Sequence, residues 1–348
     1  MTCAPNRKFT NTNHIGSSLL INQIESSLKT YVDWGILSIG GWSNVTIPTS
    51  GAYGGTFDNL RPVSDPAYDD GQVWESARKE WVWETGMDYS GVLSNGDLTG
   101  VAPITTTGVS INGTIYGTGD ATYGHHYNYP LGRVVFDTAI STTSSVKAEY
   151  SYRNVQVYIA DQAPWWDEFQ QNSLRVDDAT FSNLGSGNWG ILANHRVQLP
   201  AVIIEAVPRR TFTPFQMGDI SQFIYQDVLF HIVADTRWWR NNLVDIISLE
   251  KDTSIMTYDN NTVAQSGAYP LDFRGMVIDQ SKTYPCLAEN YPYKLLRMYN
   301  VIVTEMQTIN SRLYQGTIRA TLSLLINNGV YLDDTFPFFL GDLQYASK

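Results

Sequence analysis

The chain has 348 residues, carries 23 Lys+Arg against 34 Asp+Glu for a net charge of −11, and is 43% hydrophobic. That is too apolar for a disordered chain, and it allows one long domain or two or three smaller ones. The acidic balance argues against a free-standing nucleic-acid binder, which carries a basic footprint, but not against a protein past which DNA slides. Two cysteines, Cys3 and Cys286, cannot make a disulfide framework, and Cys286 reads as a buried free thiol. No stretch approaches the ~18 apolar residues of a membrane span, and the polar start MTCAPNRKFTNTNH lacks the apolar run of a signal peptide. Aromatics at 13% together with 27 glycines lean towards β structure.

In chain order, Ile21, Ile24, Leu28 and Val32, with Ile15 and Leu20 behind them, recur at helical spacing and predict a first helix. The Gly/Ser/Thr-rich text that follows reads as short strands and loops. In GQVWESARKEWVWETG, Val73, Trp74, Ala77 and Trp81 fit a helix, while Trp81-Val82-Trp83 suits a strand, so periodicity leaves both open. Residues 91–108 read as a loop or linker. Residues 108–160 form the clearest β region. Asn112-Gly113 between two β-rich runs predicts a hairpin. Pro130-Leu131-Gly132 predicts a turn into Arg133–Phe136. Val146, Ala148, Tyr150 and Tyr152 alternate with polar residues and predict one half-exposed antiparallel strand of a β-meander. Residues 161–200 read as a connecting arm with little core of its own.

From 201 onward the pattern is strand, helix, strand, strand. AVIIEAV predicts a strand, and YQDVLFHIVAD, apolar on both faces, a buried central one. Asp235 or Thr236 caps a helix striped by Trp239, Leu243, Ile246 and Ile247. NVIVTEM and the alternating RLYQGTIRATLSLLI predict two further strands. The fold class expected is α+β: an antiparallel sheet with helices packed on it, plus an added β-meander or β-sandwich module. The divisions expected are 1–98, 99–160, 161–200, 201–330 and a tail at 331–348.

The chemistry-bearing residues point mostly to structure. His125 and His126 are neighbours on a predicted strand and face opposite ways, and no CxxC, HExxH or EF-hand pattern occurs, so neither metal nor cofactor is expected. Cys286 has no Gly-rich oxyanion turn and no evident base, and no GxSxG elbow is present. The enzyme reading with most text behind it is a glycosidase. Trp165 and Trp166 beside Asp167 and Glu168, or Glu75, Glu80 and Glu84 among Trp74, Trp81 and Trp83, would supply a sugar platform and an acid/base pair. The plainer reading makes these tryptophans core or interface anchors, and no catalytic residue is assigned. Positive charge concentrates at Arg209 and Arg210, and at Arg237 and Arg240 around Trp238. Arg and Trp dominate interface energetics, so these five residues are the expected subunit contacts.

The runs GVSINGTIYGTGD, YNYPLGRVVFDTAI, VKAEYSYRNVQVYIAD, IIEAVPRRTFTPFQMGD, QDVLFHIVADTRWWRNNLVDIISL and RLYQGTIRATLSLL resemble virion structural proteins of tailed bacteriophages. The C-terminal half resembles tail-terminator and related neck proteins in its order of elements. The resemblance implies a homo-oligomeric ring, with six copies, at the head–tail junction of the virion. Other neck and tail proteins would be its neighbours, and DNA would pass the lumen without sequence-specific binding. Such a protein would be made in the host cytoplasm. Another collar component, a glycan-binding tail-tip protein and a capsid decoration protein are the alternatives.

Overall fold

The computed structural model describes residues 20–47, 58–85, 102–163, 165–166, 198–215, 222–310 and 313–326. In chain order these form α1 (Leu20–Ser38), β1 (Trp42–Val45), β2 (Arg61–Pro62), β3 (Val73–Glu75), β4 (Gly108–Ile111), β5 (Thr114–Gly117), β6 (His125–Asn128) and β7 (Arg133–Phe136). Then come β8 (Val146–Ala148), β9 (Tyr150–Arg153), β10 (Gln156–Ile159), β11 (Ala201–Pro214), β12 (Gln222–Ala234), α2 (Arg237–Leu249) and β13 (Ser254–Tyr258). Two short helices, α3 (Asn260–Ser266) and α4 (Tyr284–Asn290), precede the long β14 (Pro292–Asn310) and β15 (Leu313–Ile326). The class is α+β, with mostly antiparallel sheets.

The larger layer is a six-stranded sheet in the order β10-β11-β12-β15-β14-β13. Only β10 and β11 run parallel; the other pairs are antiparallel. One face is apolar because alternate residues supply it: Val202 and Ile204 on β11, Val228, Phe230 and Ile232 on β12, Ile318, Ala320 and Leu322 on β15, Leu296 and Met298 on β14. Helices α1 and α2 cover that face, through Ile24, Leu28, Val32 and Ile36 of one and Leu243, Val244 and Ile247 of the other. Thr236, one of the two expected caps, starts α2 by accepting a hydrogen bond from the Trp239 amide at 3.2 Å. Helix α2 comes close to β15 at Gly316, where a Cβ would lie 2.8 Å from Val244 Cγ2. The first helix runs past Val32, where its expected stripe ends, and continues through Gly35 to Ser38; Ile15 lies outside the described residues.

The smaller body is a β module with three little sheets, β1-β9, β2-β3-β7-β6 and β5-β4-β8. Its core is aromatic: Trp74, Trp81, Tyr127, Tyr129, Phe136 and Tyr150 pack with Val109, Ile111, Val134 and Val146. Trp81 stacks on Tyr150 with ring centroids 4.2 Å apart. The Asn112-Gly113 hairpin forms as the dipeptide predicts, with both residues at positive φ (50° and 91°) and Ile111 opposite Thr114.

Two expectations are corrected here, and one open choice is settled. The module is not a single meander: β8 pairs with β4 and β9 with β1, so sequence neighbours separate into different sheets. The single strand expected over Val146–Arg153 breaks at Glu149, where the chain leaves one sheet for another; beyond it Ser151 and Arg153, read as a solvent face, are buried. The segment 73–83 settles as β3 plus an extended stretch bridged from Trp81 to Tyr152, because β7 offers it a partner strand. Strands β2 and β3 and α1 also tie residues before 99 to bodies formed later in the chain.

Candidate assembly surface

The face of the large sheet turned away from α1 and α2 is polar at its centre. Glu205, Leu229, His231, Asp227, Thr317, Arg319 and Thr321 point there by strand alternation. Asp227 accepts hydrogen bonds from Arg319 Nη2 at 2.5 Å and Thr321 Oγ1 at 2.7 Å. Burial pushes its carboxyl up, but these hydrogen bonds outweigh it and hold Asp227 below the usual carboxylate range. His231 Nε2 lies 2.9 Å from Glu205 Oε2 and its ring packs 4.7 Å from Trp166. Burial lowers the histidine despite Glu205, which favours the neutral ring donating from Nε2. Around this centre stand exposed apolar side chains: Leu295, Tyr299 and Ile302 on β14, at 43%, 55% and 51% exposure.

The five expected contact residues are not one patch. Arg210 pairs across to Gln226 on β12, whereas Arg237 follows the end of that strand at Ala234. Eight residues of strand separate those points, about 26 Å at ~3.3 Å per residue. Arg209 is exposed, and Arg210 is half-buried with Nε donating to Gln226 Oε1 at 2.9 Å. Arg237 and Trp238 are exposed, Trp238 to 53%. Arg240 differs: it is buried, its Nη1 donates to the Gln307 carbonyl at 3.0 Å, and its Nε and Nη2 donate to Asn241 Oδ1. The guanidinium also lies over the Tyr314 ring at 5.7 Å. Arg240 therefore seats α2 against β14 and β15 rather than standing ready on an open surface.

The residues of the glycosidase reading sit in packed or paired positions. Trp165 and Trp166 are buried against Ala201, Ile203 and Val233; Asp167 and Glu168 lie outside the described residues. Glu75 is held by Arg133 at 2.7 Å and Lys79 at 3.6 Å. Glu84 is buried and ion-paired to Arg153, whose Nε also binds Asp33 of α1 at 2.9 and 3.0 Å. Arg153 Nη1 donates to the Trp81 carbonyl at 2.9 Å. This cluster, which joins the module to α1, escaped the sequence because Arg153 occupies what alternation assigns to solvent.

His125 is buried between the Tyr123 carbonyl (2.8 Å) and the Tyr127 hydroxyl (3.0 Å), while His126 points the other way and is half-buried. Cys286 is a free thiol, half-buried rather than buried as expected, with Asn290 Nδ2 3.3 Å from its sulfur. Among the described residues no cluster of three or more His, Cys, Asp or Glu could hold a metal ion, and no helix is long and apolar enough to cross a membrane. A cleft of about 210 Å³ lies between the module and the loop after α3, lined by Asp65, Tyr68, His126, Arg133, Phe273 and Arg274. Neither a protein-family model nor a curated protein sequence matches the chain.

Proposed function

We propose that the chain is a structural protein of a phage virion, a tail-terminator-like component of the neck that assembles as a homo-oligomeric ring. The observation that carries this reading is the face of the large sheet opposite α1 and α2, where exposed apolar side chains of β14 (Leu295, Tyr299, Ile302) flank internally paired charges. A surface of that composition gains from being covered by protein. Arg237 and Trp238, exposed at the start of α2, add the residue types that dominate interfaces. The α+β architecture, with helices on one side of an antiparallel sheet, agrees with the resemblance in element order. With a net charge of −11, a ring of such chains would repel the phosphates of DNA threading it and leave the DNA mobile.

Two measurements test the reading. Native mass spectrometry of the purified chain at micromolar concentration is expected to show a closed oligomer, six copies on the resemblance; a monomer at every concentration contradicts it. Label-directed electron microscopy of virions is expected to place the protein at the head–tail junction, and label confined to the tail tip or the capsid overturns the neck assignment.

A further inference from the structure

The large sheet ends on two open edges, and they match. On one side, β13 pairs with β14 only over Pro292–Arg297. The outer edge of β14 beyond it, from Tyr299 to Thr308, has no strand partner among the described residues. Residues 302–308 are exposed on both faces, with Ile302, Val303 and Met306 at 51%, 41% and 44%. On the other side, β10 pairs with β11 only over Ala201–Ile204. The Ala206 amide is taken by Glu25 and the Val207 carbonyl by Gln226. Beyond them Arg209–Thr213 have β12 on one side, but their outer edge has no strand partner among the described residues, and Phe212 is 56% exposed. Open edges of this length are templates for another strand.

We propose that β14 of one copy pairs antiparallel with β11 of the next, joining the sheets head to tail. This deepens the ring reading and rests on its self-association alone, not on its place in a virion. Three features select a second copy as the occupant. The first is direction: β11, β12, β15 and β14 alternate, so a copy added in the same orientation meets β14 antiparallel, as a rotational ring requires.

The second is face and charge. Val303 and Phe212 both stand on the helix-covered side, opposite Ile318 and Ile224 respectively. Setting them opposite each other puts Ile302 beside Thr213 on the other side. With Thr304 as the extra residue that β14 already bulges there, Glu305 falls beside Thr211, and Arg209, two residues away on the same face, becomes its diagonal neighbour.

The third is stagger. Val303 is level with Ile318 and Phe230, whereas Phe212 is level with Ile224 and Leu324, so adjoining copies are offset by six residues (224 to 230, 324 to 318). That offset moves β10 of the incoming copy past the open end of β14 and leaves β13 beyond its other end, so neither blocks the joint. Six residues are ~20 Å, and the four long strands span ~19 Å, giving a strand tilt of about 45°, at the upper end of the range of closed barrels.

The test is directed cross-linking of the full chain in which Cys3 and Cys286 are replaced by Ser. A V303C/F212C double variant is expected to give, under mild oxidation, a ladder of disulfide-linked species ending at the ring size. V303C mixed with F212C is expected to stop at dimers, and each single variant alone to stay uncross-linked. Cross-linking of V303C alone would mean β14 pairs with itself and would overturn the proposal. An intact oligomer by native mass spectrometry with no cross-link in the double variant also overturns it while sparing the ring reading, and a chain monomeric throughout fails both. Independently, E305R and R209E are each expected to weaken assembly at least tenfold and their combination to recover most of it. Failure of the combination to recover counts against this register.

Discussion

The two bodies of this molecule use β structure in opposite ways. In the module, the strands are two to four residues long, distributed over three small sheets, and their side chains close around Trp81 and Tyr150. In the large layer, four strands run 13 to 19 residues, helices cover one face, and among the described residues the β14 side of the other face and stretches of the β11 and β14 edges are exposed. Short strands gathered around aromatics satisfy themselves locally, whereas long strands with open edges make a surface that calls for a partner. The difference separates a self-contained part from the part proposed to assemble, joined where Arg153 of the module meets Asp33 of α1.

The largest effects should come from the two cores. Phe230→Ala in the sheet and Trp81→Ala in the module, both at 0% exposure, should each cost about 3–5 kcal/mol in urea denaturation. If the bodies are energetically separate, peptide-resolved hydrogen exchange will show each variant loosening its own body first; simultaneous loosening of both would dissolve the distinction. Arg153→Leu attacks the joint itself. It leaves buried Glu84 without its cation and should cost about 3–5 kcal/mol, the range for breaking a buried ion pair. Exchange should rise on both sides, in α1 and around Trp81. A loss confined to the module would show that Asp33 does not couple them.

Acidity should act on the two bodies in opposite senses. Burial pushes Glu84 up to about 7 against the opposing pull of Arg153. A carboxyl raised in the folded state favours folding while it is protonated in both states, and that contribution fades as pH rises from about 4.5 through 7. Asp227 is depressed, so its contribution is present at neutral pH and is lost as pH falls below the usual carboxylate value near 4. Glu84→Gln should therefore flatten the pH dependence of stability between 5 and 7, and Asp227→Asn should flatten it in the acid limb. Melting temperatures across pH 3–8 measure both, and an unchanged profile in either variant removes the corresponding assignment.

Much of the large layer was legible because its signals are local and periodic. The apolar alternation of Ile318, Ala320, Leu322 and Leu324, the two-faced run of β12, and Thr236 before the stripe of α2 each report a face or a boundary directly. The module was legible at Asn112-Gly113 and at the Pro-Leu-Gly turn, where turn chemistry decides, and illegible where distant partners decide. Nothing around Trp74 announces that β7 will pair with it, and nothing around Arg153 announces Asp33, 120 residues away. The assembly residues divide the same way. Arg237 and Trp238 are exposed as an interface reading requires, but Arg240, three residues beyond Arg237, is turned inward by helical periodicity onto Gln307 and Tyr314.

That inward turn decides how to probe the start of α2, where the smallest stability effect is expected. Thr236→Ala should cost about 1 kcal/mol through its lost cap and serves as the calibration. Replacing Arg240 would disturb helix seating, so lost assembly in such a variant would not distinguish interface from fold. Arg237→Ala with Trp238→Ala avoids the problem, since both side chains are exposed and should change monomer stability by no more than about 0.5 kcal/mol. If α2's start contributes to the ring, analytical ultracentrifugation of this double variant will show smaller species at unchanged melting temperature. Full assembly would remove the start of α2 from the proposed interface and leave the proposal to the long strands, through the face opposite the helices and the β11 and β14 edges.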